Sequence, residues 1–572
     1  MDGIGSEDGS VQVEAGAQAE GRVLAGTAVV PGVGYGPTIR PGERPRRPAR
    51  GADLPAEDRP AEKQRFLDAA DAVSSRLLAR ANEVKGAGAE VLRATAGLAT
   101  DRGWLGAATA LVDAGAPAES AATDATDQFA AVFTKLGGLM AERVTDLKDI
   151  RDRVIAELRG MPEPGVPTPT EPSVLVARDL APADTAVLDP TLVVAIATTL
   201  GGPTGHTSII ARQLGIPCVV GVAGLDDIDS GAQVLVDGSA GTVEVDPEPG
   251  RARSAVARAE EVRQRTASWT GPGRTRDGHP VAVLANVQDG PGARAAAEGS
   301  AAAGVGLFRT ELAFLDRDAE PGVEEQTRIY REVFDAFPEG KVVVRTLDAG
   351  SDKPMRFAAT GDEPNPALGV RGYRIAADHP GLLERQLDAI ASAARESTAT
   401  VLVMAPMIAT VAEAAEFAAA ARARGLVPGV MVEVPAAALL ADRILEHVDF
   451  LSIGTNDLTQ YTMAADRMSA PLAGLTDPWQ PAVLALVART AADGARAGKG
   501  VGVCGEAAAD PLLACVLAGL GVTSLSMAAS AVAATGSALA AVDLDQCRRA
   551  AQAALDAADP ATARERAAEI LR

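Results

Sequence analysis

From Pro272 onward, short apolar runs return at regular intervals between amphipathic segments. The runs are VAVLANV (281–287), VGLF (305–308), VVVRTLD (342–348), VLVMAP (401–406), GVMVEVP (429–435), FLSIGTND (450–457), GVGVCGE (500–506) and TSLSM (523–527). Apolar runs this short, set between helical patterns, read as strands buried on both faces of a parallel sheet. Eight such units over about 300 residues match the size and order of a (β/α)8 barrel. An open doubly wound sheet also alternates, but the count of eight favours closure. One uncharged stretch, between Asp510 and Asp543, could pass for a membrane span. Gly519, Gly521, Ser524, Ser526 and Thr535 divide it, so it reads as a buried strand between two helices.

The first 272 residues follow another plan, and 572 residues in all exceed a single core. Residues 1–20 read as a disordered tail, and 23–36 (VLAGTAVVPGVGYG) as a strand-like piece. Residues 37–60 are a Pro/Arg-rich connection. Alanine, leucine and charges then recur at helical spacing over 61–160, with breaks at Gly86–Gly88, Gly103, Gly115–Pro117 and Gly137–Gly138. The proline-rich MPEPGVPTPTEP (161–172) is a hinge candidate. Short strands return over 173–246, and the piece at 23–36 is expected to join their sheet. One charged helix is expected over 251–268.

A net charge of −22 argues against nucleic acid or an anionic membrane as partner. Cys218, Cys504, Cys515 and Cys547 are scattered without zinc spacing and read as reduced thiols of a cytoplasmic protein. The acidic, glycine-rich start lacks the pattern of a signal peptide.

In a barrel of this kind the chemistry lies at the C-terminal strand ends. There the sequence sets Arg309-Thr310-Glu311, then Arg345 with Asp348, Asp352 and Lys353, then Asn365, Arg371 and Arg374. Glu433, Asn456-Asp457, Arg467 and Cys504-Gly505-Glu506 follow. Arginines converging on one mouth call for a multiply charged anion, which their forks match bidentately. Glu433 and Asp457 suit a hard, hydrated cation, hence Mg2+. The set describes a small phosphorylated carboxylic acid with magnesium. A thiol such as Cys504 is more often packing, yet beside an enolate it can act as a general acid.

A second constellation, GGPTGHTSIIAR (201–212), follows the apolar run 193–200 and is closed by Gly215. It reads as strand, tight turn and helix, with His206 at the helix mouth, where free N–H groups and the dipole favour an anion. A lone histidine there is usually a buried turn residue, although a phosphate carried on His206 would sit in such a place.

In these motifs, with PGVGYG near the start and NPALGVRGYR (365–374) and DPWQPAV (477–483) between them, the chain resembles Enzyme I. That is the phosphoenolpyruvate–protein phosphotransferase family of the bacterial sugar phosphotransferase system. The motifs run in the family's order and cover nearly everything except the tail, the Pro/Arg-rich segment and most of the helical region. The resemblance implies a multidomain α/β chain. Residues 21–40 and 165–248 would form a swivelling phosphohistidine β/α domain, and 55–160 an inserted helical subdomain that binds a carrier protein. Residues 249–272 would be a helical linker, and 273–572 a TIM-type barrel binding phosphoenolpyruvate. It further implies His206 as the phosphohistidine and Cys504 as proton donor. Arg309, Arg345, Asn456, Asp457 and Arg467 would hold the substrate, and Glu433 with Asp457 would hold Mg2+. The partners implied are the carrier HPr and a second copy of the chain.

Four departures stand out: Gly205 where the family usually has serine, Gln480 for a frequent histidine, a last strand without acidic residues, and the segment 37–60. Two alternative readings are a pyruvate phosphate dikinase or phosphoenolpyruvate synthase, and a catalytically weak regulatory homologue. The first needs an ATP-binding domain ahead of His206, where only about 170 residues of helix and linker stand, without a strong Gly-rich phosphate loop. The second is opposed by the intact arginines, carboxylates, Cys504 and His206, and supported chiefly by Gly205.

Overall fold

The computed structural model describes residues 22–572, apart from 43, 49–52, 84–86, 137, 168, 181–183, 185–187, 203–204, 315–316, 350–356, 358–362, 364, 468 and 473. The expected tail 1–20, and Asp352 with Lys353, lie outside the described residues. The chain divides into two compact units, Met1–Arg263 and Gln264–Arg572.

In the first unit the apolar piece near the start resolves into three strands, β1 (Arg22–Ala25), β2 (Thr27–Val30) and β3 (Val33–Ile39). Five helices follow: α1 (Arg59–Glu83), α2 (Ala87–Ala99), α3 (Arg102–Asp113), α4 (Ala118–Leu136) and α5 (Gly138–Leu158). The chain then returns to β4 (Ser173–Ala177), β5 (Val193–Thr198), α6 (His206–Leu214), β6 (Cys218–Val220), β7 (Gln233–Asp237) and β8 (Thr242–Val245). The eight strands form one sheet in the order β1-β8-β7-β3-β4-β5-β6-β2, so β1 and β2 take opposite edges and β3 the interior. The run β3-β4-β5-β6 is parallel. Its strands are buried on both faces: Val174 and Val176 enter one core, Leu175 and Ala177 the other.

The helices pack around Phe66, Leu77 and Trp104, all fully buried. The break expected at Gly103 falls at Thr100–Asp101 instead. Asp101 caps α3 by accepting from Trp104 N at 2.9 Å, which draws Gly103 into the first turn.

The candidate hinge 161–172 is tethered. Arg153 of α5, with no solvent exposure, donates to Asp149 (2.7 Å), to Glu163 (2.5 Å) and to Asp184 (2.6 Å). Glu163 also accepts from Arg76 at 2.8 Å and Arg80 at 3.4 Å. One buried guanidinium thus joins α5, the proline-rich segment and the chain between β4 and β5.

A single helix, α7 (Pro249–Ser268), carries the chain onward. Next come β9 (Ala282–Val287), β10 (Gly304–Arg309), β11 (Lys341–Arg345), β12 (Thr400–Ala405), β13 (Val427–Val432), β14 (Phe450–Ile453), β15 (Gly500–Val503) and β16 (Ser524–Met527). They close into a parallel barrel, with β16 pairing back onto β9. The uncharged stretch resolves into the helix Pro511–Gly519, β16 and the helix Ala529–Ala540. Among the described residues no helix is long and apolar enough to cross a membrane.

Arg153→Met leaves the buried carboxylates of Asp149 and Asp184 without their cation and is expected to cost about 3–5 kcal/mol. Calorimetry of the whole chain should show a lower first transition, with the barrel's transition unmoved.

Candidate active site

Strand parity decides which side chains face the barrel axis. Leu307, Val343 and Met431 point inward, in a cluster with Met404, Phe450 and Cys504. Two residues further on stand Arg309, Arg345 and Glu433, which a period of two returns to the same face at the C-terminal end. β10 and β11 run in register with Arg309 beside Arg345. All three border a cavity of about 650 Å3, together with Asn456, Asp457, Arg467 and Cys504.

Arg345, 6% exposed, is the fixed point of this mouth. It donates to Glu311, and its Nη1 lies 3.0 Å from Asp348 Oδ2. Burial alone would lower its pKa, but the charges of Glu311, Asp348 and Glu433 outweigh it and hold the guanidinium charged. Asp348 is shared with Arg371 at 3.2 Å, and Arg371 reaches Asp457 Oδ1 at 3.4 Å. Arg371 therefore sits behind the cavity wall, bracing it. Arg374 donates to the Gly369 carbonyl at 3.3 Å and does not line the cavity, nor does Asn365. Arg467 comes within 3.7 Å of Asp457 Oδ2, and Arg309 is exposed.

The lining carries three arginines, Arg309, Arg345 and Arg467, against five carboxylates: Glu311, Asp348, Glu433, Asp457 and Glu506. Cation repulsion, the argument from the sequence, is thus already offset by protein carboxylates. An anionic substrate needs a further positive charge here. Glu433 carries a candidate ligand atom for it. Its Oε1 accepts from Met407 N at 2.7 Å, while its Oε2 is buried without a hydrogen-bond partner. Burial, with Asp348 and Asp457 adding their charges, pushes its pKa up to about 8. An orphaned carboxylate oxygen facing other carboxylates fits a hard divalent cation. Among the described residues no group of three or more His, Cys, Asp or Glu could hold a metal, so the protein would offer two carboxylates and leave other positions to substrate and water.

Two backbone features support this set. Met407, whose N–H holds Glu433, has φ 59, and Ala464, between Asp457 and Arg467, has φ 49. Left-handed backbone at residues with side chains is strained by about 1–2 kcal/mol, and here it flanks the site. Asn456 and Asp457 stand in the first turn of the helix Thr455–Met463, and Asn456 Oδ1 accepts from Glu506 N at 3.1 Å.

Cys504 is 2% exposed, and burial pushes its pKa up to about 11. Its thiol donates to the Ile453 carbonyl at 3.5 Å, and its own carbonyl accepts from Asn286 Nδ2 at 3.2 Å. A thiol so placed keeps its proton at neutral pH.

Sequence reasoning missed Gln288, Met431, Thr459 and Thr476 of the lining. Gln288, one residue past β9, was within reach of the strand-end rule; Thr476 comes from a loop that no periodicity marks. Gln480 precedes the helix Pro481–Ala497 without a side-chain capping bond and donates instead to Gly474 O at 3.0 Å, so it serves the loop. In the other unit His206 is the first residue of α6, after Gly205 (φ −68, ψ 162) and ahead of a left-handed Gly215. The His206 side chain lies outside the described set.

Three descriptions of PEP-utilising enzymes match the chain: the N-terminal domain over residues 25–143, the mobile domain over 169–241 and the PEP-binding domain over 262–544. The phosphoenolpyruvate-protein phosphotransferase of Streptomyces coelicolor is 49% identical over 551 residues, covering 96% of this chain and 99% of the relative. That of Haloferax volcanii is 40% identical, covering 78% and 80%, and that of Bacillus subtilis 36%, covering 73% and 76%.

Because alkylation needs the thiolate, raising a thiol pKa from 9 to about 11 slows the reaction. At pH 8 iodoacetamide should modify Cys504 of the folded chain roughly 100-fold more slowly than a free cysteine, by peptide mass spectrometry. An equal rate contradicts the protonated, buried thiol.

Proposed function

The chain belongs to the phosphoenolpyruvate–protein phosphotransferase family, Enzyme I, and from that premise we propose that it moves the phosphoryl group of phosphoenolpyruvate to its own His206 and then to a histidine of HPr. The observation that carries this reading is the gathering of Arg309, Arg345, Arg467, Glu433, Asp457 and Cys504 around one cavity.

Arg309 and Arg467 grip the phosphate and carboxylate, Arg345 fixes the floor between them, and Asn456 orients the substrate by hydrogen bonding. Glu433 and Asp457 would hold Mg2+, which would supply positive charge to offset that of the substrate oxygens. The β/α part of the N-terminal unit swings so that His206 Nε2 lines up with phosphorus. The P–N bond forms as the P–O bond breaks, through a loose transition state that depends on positioning and charge. The electron pair left on the enolate is quenched at carbon 3 by the Cys504 proton, giving pyruvate, and the thiolate then recovers a proton from water. Once reprotonated, pyruvate no longer competes as a phosphoryl acceptor. The phosphate on His206 passes to HPr, which docks on the helical part α1–α5. The active species is a dimer through the barrel, in the cytoplasm.

Gly205 leaves α6 without a side-chain cap. An added Cβ there would stand 3.3 Å from the Gly202 carbonyl, so a serine fits if that turn gives by a few tenths of an ångström. Its hydroxyl would restore a contact beside the phosphate.

Incubation with 32P-labelled phosphoenolpyruvate and Mg2+, without ATP, is expected to place acid-labile, alkali-stable label on His206 and to release pyruvate. EDTA should abolish labelling, and fresh Mg2+ restore it. Unchanged label in His206→Ala would sink the reading, and a requirement for ATP would favour a dikinase. Cys504→Ala is expected to keep phosphoenolpyruvate binding while turnover falls roughly 100-fold or more, as for loss of a general acid. Gly205→Ser should speed transfer to His206 at unchanged substrate affinity.

A further inference from the structure

Away from the barrel mouth, two of the four thiols meet. Cys515 lies on the helix Pro511–Gly519 and Cys547 in the second turn of the helix Leu544–Leu555. Both are free, at 3% and 0% exposure. Each side chain is the leading electrostatic influence on the other. The helices carrying them cross more closely than a side chain at Gly519 would permit. A Cβ on Gly519, one turn after Cys515, would fall 2.1 Å from the Cys547 carbonyl oxygen and 2.8 Å from Arg548 N. A glycine at that crossing brings the two backbones together, which a cross-helix disulfide requires.

We propose that Cys515 and Cys547 are a redox-active dithiol, which a hydroperoxide converts to a reversible disulfide stapling these two helices. The pair divides the work between its members. Contact with Cys547, added to burial, raises the pKa of Cys515, while contact with Cys515 lowers that of Cys547. Cys547 also stands near its helix N-terminus, where the dipole favours a thiolate. Cys547 sulfur attacks one peroxide oxygen, breaking the O–O bond and leaving a sulfenic acid and water. Cys515 sulfur then displaces the sulfenic oxygen as a second water, forming the S–S bond. Two thiols give up two electrons and two protons, and one hydrogen peroxide becomes two waters. The other cysteines are set apart: Cys504 has no thiol neighbour, and burial raises Cys218 to about 12.

The staple would act on the base of an active-site loop. The helix Pro511–Gly519 starts directly after Glu506–Ala509 and is capped by Asp510, whose Oδ2 accepts from Trp479 Nε1 at 3.0 Å. Cys515 itself donates to the Pro511 carbonyl at 3.3 Å.

The test uses the full chain. It is exposed to hydrogen peroxide, denatured in iodoacetamide, digested and analysed by mass spectrometry. The expected product is a Cys515–Cys547 linked peptide that dithiothreitol cleaves, with Cys218 and Cys504 alkylated. Closing a loop of roughly 30 residues should also raise the barrel's Tm by about 5 °C, an increase absent from Cys547→Ser. In Cys515→Ser, Cys547 should stop at the sulfenic acid and be trapped by dimedone. Alkylation of both thiols after peroxide treatment, or their direct passage to sulfinic acid, overturns the proposal; the wild-type chain alone decides this if a variant fails to fold.

Discussion

A single buried guanidinium organises the mouth of the barrel. Arg345 leaves β11 into a space where Glu311, Asp348 and Glu433 surround it, and its charge keeps these carboxylates from forcing one another apart. Removing it would expose the mouth to unbalanced negative charge at low dielectric, where an uncompensated ion is costly. Asp348 hands the constraint on to Arg371, and Arg371 to Asp457. Residues from separate βα units thus become one electrostatic assembly.

The N-terminal unit contains a second buried arginine with a different character. Arg153 is met by Asp149, Glu163 and Asp184, each at hydrogen-bonding distance, so its donors are occupied by protein. The guanidinium itself is fully engaged, and its effect is to tie chain segments together. The barrel cluster is open: Glu433 Oε2 is orphaned, and Arg309 is exposed at the edge. The barrel groups border a cavity that a ligand can enter, and none of the Arg153 cluster lines it. The contrast supports placing substrate and metal in the barrel and a structural role at Arg153.

Much of the barrel site was legible because strand geometry is periodic. Once Leu307, Val343 and Met431 are recognised as inward-facing, Arg309, Arg345 and Glu433 follow by counting two residues. Cys504 and Asn456-Asp457 follow from the rule that loops after strands carry chemistry. Arg371 and Arg374 show where counting ends. They stand three residues apart at the two ends of a 3-10 turn, yet one is buried against Asp348 and the other bonds a local carbonyl. No spacing rule separates them, because their fates depend on which loop packs behind the wall. Met407 and Arg153 were invisible for the same reason: a main-chain N–H and a helix residue among many arginines carry no motif.

Local periodicity and motif order survive without coordinates, and they already carry the alternation that closes into eight parallel strands, the compact β/α domain with its histidine-bearing helix, and the family. The balance of charge was decided only by the tertiary structure. Three arginines in motifs look like an anion trap, but folding brings five carboxylates to the same cavity and turns the need toward a cation as well. The proline-rich segment looks slack until Arg153 reaches Glu163. Electrostatic energy depends on distance and burial, and residues far apart in the chain acquire both only when it folds.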